Sequence, residues 1–372
     1  MAQTNTRKKQ LTVERVNSDP NLSGPTPVGL KWSPDGTRIT YLKPKPENDE
    51  VLDLWAYDVA AGEHAPLVRT EDLVPPDQIE ISEQEAARRE RMRVRQTGIV
   101  QYQWAKSGSR LLFPLSGALY VYDLRAPAGE RVRRLIDPQD GPAFDPKFSP
   151  QGTAVAFVRD GELYVVDVET GALTQRTTDA GGTVQNGVAE YVAQEEMGRY
   201  TGYWWSPDGT AIAYTQIDEA QVSLVQRPAY YADRVEVVAQ RYPAAGEANA
   251  VVRVGVVAAC GIQVGRTTWM DVRAGEVDAP EAGYIARVHW LPNSKEVAVQ
   301  VQSRDQQTLE LVVCDAATGQ ARAILREEQA AWVELNDDLR FLNKSERFLW
   351  ASERTGYNYL CSRGTKRRCP TY

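Results

Sequence analysis

Histidine is almost missing from this sequence: His64 and His289 are the only two in 372 residues. That scarcity argues against a histidine-built zinc site. His64 lies in a Gly-Glu-His-Ala turn and His289 in an alternating strand pattern, so both read as structural. Cysteine is scarce too. Cys260, Cys314, Cys361 and Cys369 form no C-x-x-C pair and read as buried free thiols, not as a disulfide framework or metal centre. No apolar run reaches the length of a bilayer span, and the start M-A-Q-T-N-T-R-K-K-Q lacks the apolar core of a secretory signal. The expectation is no membrane partner and a cytoplasmic location, or a periplasmic one if the natural N-terminus is longer. Positive charge is in deficit: 43 Lys and Arg against 50 Asp and Glu leave a net charge of −7, which argues against nucleic acid as a partner. Nothing in the sequence asks for a cofactor or metal, and none is expected.

Turn residues are plentiful. The 27 glycines and 21 prolines suit a turn-rich β fold, and they fall at repeating positions. Trp32-Ser33-Pro34-Asp35-Gly36, Phe148-Ser149-Pro150-Gln151-Gly152 and Trp205-Ser206-Pro207-Asp208-Gly209 share an aromatic-Ser-Pro-x-Gly form; Trp104 to Gly108 and Trp290 to Ser294 are degraded copies. Each leads into alternating β-branched and aromatic residues, such as Thr153 to Val158 and Thr210 to Thr215. A second strand ending in aspartate follows, at residues 53–59, 118–124, 162–168 and 310–316, with Gly62, Gly129, Gly171 and Gly319 closing the next turn. This is the grammar of a four-stranded propeller blade. The predicted fold is all-β: a β-propeller of about six blades, incomplete, the sixth beginning near Trp332. Its unpaired end strands would favour self-association.

Two insertions interrupt the rhythm. Residues 72–98 carry a predicted helix in which Ser82 and Glu85 form a capping box and arginines gather at the C-terminal end. Residues 217–265 read as an extended loop and a long excursion of the fourth blade.

A shorter interruption, Glu190 to Tyr200, holds the adjacent carboxylates Glu195 and Glu196 just before a blade's first strand. Paired carboxylates repel, so such a pair is either solvated or built to receive a cation. A second pair, Glu327-Glu328, lies in a polar segment and reads as solvent-facing. Interruptions on a rigid scaffold are where binding groups gather, which favours Glu195-Glu196 as the site.

The stretch E-Y-V-A-Q-E-E-M-G-R-Y-T-G-Y-W-W-S-P-D-G resembles the double-glutamate motif of the dipeptidyl peptidase IV family of prolyl oligopeptidase-type serine exopeptidases, closest to bacterial members and the dipeptidyl peptidase 8 and 9 branch. Arg241 to Asn249 resembles that family's Tyr-Pro-x-Ala-Gly segment, and Ser352 to Tyr357 its Ser-Glu-Arg-x-Gly segment. The resemblance implies an eight-bladed propeller that caps an α/β-hydrolase domain. It implies that Glu195 and Glu196 grip the free α-amino group of a peptide substrate, making peptides with a free N-terminus the expected partners. It also implies an arginine near the pair. Arg93 is preferred, with Arg91 in the same segment and Arg199 as a local alternative.

One element of such an enzyme is missing. No Gly-x-Ser-x-Gly elbow occurs in the sequence, so no catalytic residue is assigned and no hydrolysis by this chain alone is expected. The expected layout is an N-terminal extension over 1–24, a truncated propeller over 25–360, and an atypical tail over 361–372 that loses its strand period, from either a shifted reading frame or a basic tail. The alternative function is a stand-alone propeller that binds peptides or proteins without cleaving them.

Overall fold

The computed structural model describes residues 11–365 apart from 19–21, 23, 46–47, 107, 262–263, 273–282 and 344–345. Among these residues six blade-like sheets of antiparallel neighbours follow one another along the chain, as expected for propeller blades, with one further two-stranded hairpin and one parallel edge strand, and no α/β-hydrolase domain occurs among them. Blade I comprises Val28–Trp32, Arg38–Lys45, Asn48–Asp58 and Glu63–Val68, with Thr97–Gly98 adding in parallel to the third strand. Blade II runs from Gln103–Trp104 to Val132–Ile136 and blade III from Phe144–Phe148 to Leu173–Gln175. Blade IV is built on Tyr203–Trp205, Ala211–Asp218, Val251–Ala258 and Thr267–Trp269, blade V spans Gly283–Trp290 to Ala321–Glu328, and blade VI has three strands, the last being Tyr359–Gly364.

The repeated sequence features have local causes. In blade I the Ser33 hydroxyl donates to Asp35 Oδ1 at 2.6 Å while its oxygen accepts the Arg38 N–H at 2.9 Å, closing the turn from both sides. Ser206 and Asp208 repeat this in blade IV at 2.6 Å. The strand-terminal aspartates act as caps: Asp167 Oδ1 accepts the N–H groups of Glu169 and Thr170 at 3.0 and 2.8 Å, and Asp315 does the same for Ala317 and Thr318. The glycine that follows has a positive φ each time; at Gly319 (φ 77°) a Cβ would also lie 2.0 Å from the Trp269 carbonyl oxygen, so no other residue fits.

The core lies between blades. Leu54, Phe113 and Leu115 pack blade I on blade II, Phe157 and Leu119 join blades II and III, and Tyr203, Leu163 and Ile212 join blades III and IV. In blades II, IV and V the tryptophan that opens the turn adds a polar staple to the preceding blade. The indole N–H of Trp104 donates to Thr40 Oγ1 at 2.8 Å, that of Trp205 to the Lys147 carbonyl at 3.2 Å, and that of Trp290 to the Trp204 carbonyl at 2.9 Å. Trp32 of blade I has no such neighbour among the described residues and is 60% exposed.

Several expectations need correction. The final strand continues to Gly364, pairing Cys361 with Trp350, because Leu360, Ser362 and Arg363 can still satisfy the ladder despite their mixed polarity; residues 366–372, with Cys369, lie outside the described part. Cys314 is buried, but Cys260 is exposed in a loop and Cys361 half-buried. The insertion at 217–265 is a hairpin, Leu224–Tyr230 with Val235–Arg241, and Val251–Ala258 already belongs to the blade. Glu327 is not solvated: it accepts the Trp350 indole N–H at 3.0 Å, with its side chain 9% exposed. Among the described residues there are three α-helices: α1 (Val13–Val16), α2 (Glu83–Arg91) and α3 (Tyr191–Glu195). Ser82 caps α2 by accepting the Glu85 N–H at 3.3 Å, but Glu85 turns its carboxylate to Arg88 and Arg89 at 2.9 and 2.7 Å, so only half of the capping box forms.

Candidate functional site

Helix α3 leads to the inner strand of blade IV, and a buried brace sets its position. Glu190 precedes the first turn and accepts Arg199 Nη2 at 2.7 Å; their side chains are 6% and 3% exposed. Arg199 also donates through Nη1 to the Thr201 carbonyl at 3.0 Å, and its backbone N–H returns to the Ala193 carbonyl at 2.8 Å. Ala193 and Met197 fill the space beneath. Gly202 completes the fit, since a Cβ there would lie 2.3 Å from the backbone of Val188. These contacts hold the helix while Glu195 and Glu196 stay exposed at its C-terminal end.

Helix α2 supplies the counter-charge. Arg91 Nε donates to Glu195 Oε1 at 3.0 Å and Nη1 donates to Gln194 Oε1 at 2.9 Å, with the guanidinium 5.1 Å from the Tyr191 ring centroid. The arginine against the pair is therefore Arg91. Arg93 lies beyond the end of α2 in a left-handed turn (φ 59°), exposed, and no ion pair of it occurs among the described residues. Arg199, the local alternative, is committed to Glu190. Glu196 caps α3 through its backbone N–H, bonded to the Val192 carbonyl at 2.9 Å, and its carboxylate has no ion pair among the described residues.

A cavity of about 700 Å³ is lined by Arg91, Tyr191, Gln194, Glu219, Gln240 and Arg241 among others; Glu195 and Glu196 are not among its lining residues and adjoin it through Gln194 and Arg91. Its walls come from α2, α3 and the 224–241 hairpin, so both insertions converge on it. The predicted helix of the 72–98 insertion faces the cavity through Ser82, Ala87 and Arg91. Sequence reasoning passed over Tyr191, Gln194, Glu219 and Arg241 as site residues. Gln194 adjoins the glutamate pair in sequence, the one signal that could have pointed to it. Tyr191 stacks edge-on against Tyr242 at 5.3 Å, and burial raises its phenol above the usual range, with the Glu195 charge adding to the effect.

A second cavity of about 720 Å³ lies at the other end of the inner strands, where Phe148 closes the strand whose first residue, Phe144, lines the first cavity. His289 lines it. Burial, helped by the Arg287 and Arg340 charges and opposed by Asp337, lowers its pKa to about 4. The folded form thus binds a proton less readily than the unfolded chain, whose imidazole titrates near ~6.5. Stability carried by the neutral ring is complete above the unfolded pKa and is lost as pH falls towards the folded one. From pH 7 to 5 this loss is expected to be about 2 kcal/mol. Urea titrations of the parent and His289→Asn at both pH values test it. An equal loss in the variant would remove His289 as the cause.

Residues 103–372 match the family model described as "Dipeptidyl peptidase IV (DPP IV) N-terminal region". The "Probable dipeptidyl peptidase 4" of Aspergillus fumigatus is 28% identical over 245 residues, covering 62% of this chain and 31% of the relative. The "Probable dipeptidyl-aminopeptidase B" of Pyrenophora teres f. teres is 26% identical over 266 residues, covering 64% and 27%. Among solved structures, Porphyromonas gingivalis dipeptidyl peptidase 4 superposes with a TM-score of 0.67 at 24% identity, over 92% of this chain and 46% of that one, a likeness of fold. The chain thus spans under a third of these curated relatives and under half of the solved structure. The family match covers blades II to VI, the bracing residues Glu190 and Arg199 and the exposed glutamate pair, and this chain belongs to the dipeptidyl peptidase IV N-terminal region family.

Proposed function

We propose that this chain holds the free amino terminus of a peptide on Glu195 and Glu196, acting as the substrate-anchoring part of a dipeptidyl peptidase. The observation that carries the reading is an excess of negative charge at the end of α3, next to the cavity that Arg91, Tyr191 and Gln194 line. Two carboxylates sit at the C-terminal end of a helix, the end where carbonyl oxygens already concentrate negative charge. Helix α3 has no basic residue in its last turn, and Arg91 engages only Glu195. A primary ammonium offers three donors and one positive charge, which meets both needs. Fixing it there would set how much of the peptide lies between its first atom and a reacting centre. The names of the relatives, dipeptidyl peptidase 4 and dipeptidyl-aminopeptidase B, support this substrate class.

The direct test is calorimetry with Gly-Pro-Ala amide and its N-acetylated form. The free amine is expected to bind at least about a hundredfold more tightly, since acetylation removes both charge-assisted hydrogen bonds at once. Equal affinity for the two forms would refute the reading.

A further inference from the structure

Glu219 is the least explained charged group in the cavity. It follows the long blade IV strand Ala211–Asp218, and its backbone N–H is bonded to the Thr183 carbonyl at 3.1 Å. The neighbouring Asp218 is tied down separately by the Thr183 hydroxyl at 2.7 Å. Glu219 is half-buried and lines the cavity, yet its carboxylate makes no hydrogen bond or ion pair among the described residues. The nearby charged groups direct their hydrogen bonds elsewhere, although the positive charges of Arg241 and Arg91 still act on Glu219. Arg91 is bonded to Glu195 and Gln194, Glu190 is bonded to Arg199, and Arg241 donates through Nη1 to the Val222 carbonyl at 2.7 Å. Burial raises the Glu219 carboxyl above the usual range, with Arg241 and Arg91 opposing and Glu190 and Asp218 adding.

We infer that Glu219 is a specificity residue that receives a lysine or arginine side chain from the first residue of the bound peptide. The inference rests on the amino-terminus reading for the position of that residue. The physical argument is one of compensation. A partly desolvated carboxylate without a partner is costly to keep ionised, and a cation entering the cavity supplies the missing hydrogen bonds and charge. Arg91 connects the two positions, since it contacts Glu195 and acts electrostatically on Glu219, and Tyr191, on the helix that ends in Glu195, lines the cavity together with Glu219. Asp160 also lines the cavity but is exposed in a turn, where solvent already satisfies it.

The test is a calorimetric comparison of Lys-Pro-Ala amide with norleucyl-Pro-Ala amide, which has the same stem without the ammonium. The parent chain is expected to favour the lysine peptide about tenfold, and Glu219→Gln to erase the preference while leaving the norleucine peptide's affinity within about twofold. No preference in the parent, or a preference that survives in Glu219→Gln, overturns the inference. Acetylated and free norleucine peptides report separately on the amino-terminus reading. That reading fails if they bind alike, whatever the lysine preference shows.

Discussion

Replacing Arg199 by methionine is expected to destabilise the fold by about 3–5 kcal/mol, the cost of leaving one partner of a buried ion pair alone. The side chains of Glu190 and Arg199 are 6% and 3% exposed, so Glu190 would find little water to replace the guanidinium. The loss should include the bond from Arg199 Nη1 to the Thr201 carbonyl, which links the α3 segment to the start of the blade IV inner strand. Urea unfolding followed by tryptophan fluorescence reads the change. The double variant Glu190→Gln/Arg199→Met is expected to recover more than half of it, since no uncompensated charge remains. A single-variant loss under about 1 kcal/mol, the scale of a surface pair, would show that the brace is solvated and does not hold the helix.

That brace also shows where sequence reading ended. The propeller was legible because its signals are local: Ser33, Asp35 and Gly36 act within one turn, and so do Asp167 and Gly171 at the strand ends. The location of the glutamate pair was legible for the same reason, since it interrupts a repeat. Partners distant in sequence were not. Whether Arg91 or Arg93 faces Glu195 depends on where α2 ends; Met92 closes it and Arg93 turns to positive φ, a boundary that a run of four arginines in six residues does not mark. Arg199 lies close to the glutamate pair in sequence, and nothing local marks Glu190 as the carboxylate that takes it. Glu219 carries no motif at all, and its role emerges only when the hairpin and two helices enclose one cavity. The same logic explains Glu327, which a polar sequence context placed in solvent and the Trp350 indole drew into the interface of blades V and VI.

The double variant Glu195→Gln/Glu196→Gln is expected to lower the affinity for Gly-Pro-Ala amide by about a hundredfold or more. Each charge-assisted bond contributes about 1.5–3 kcal/mol, so losing the charge of both acceptors removes about 3 kcal/mol at the low end. Glutamine keeps the shape and one acceptor oxygen, which isolates charge from packing. The two positions should not contribute equally. Glu195→Gln also leaves Arg91 with a weaker partner beside the incoming ammonium, adding repulsion, whereas Glu196 has no ion pair among the described residues to lose. Glu195→Gln is therefore expected to be the more damaging single change. Both side chains are exposed and outside the Glu190–Arg199 brace, so the melting temperature of the double variant should stay within a few degrees of the parent. Because the site is open to solvent, the parent's affinity should also fall as salt rises from about 0.05 to 0.5 M, and the double variant should lose most of that dependence. Unchanged peptide affinity in a folded double variant would mean that the ammonium binds elsewhere and that the pair is only a solvated helix end.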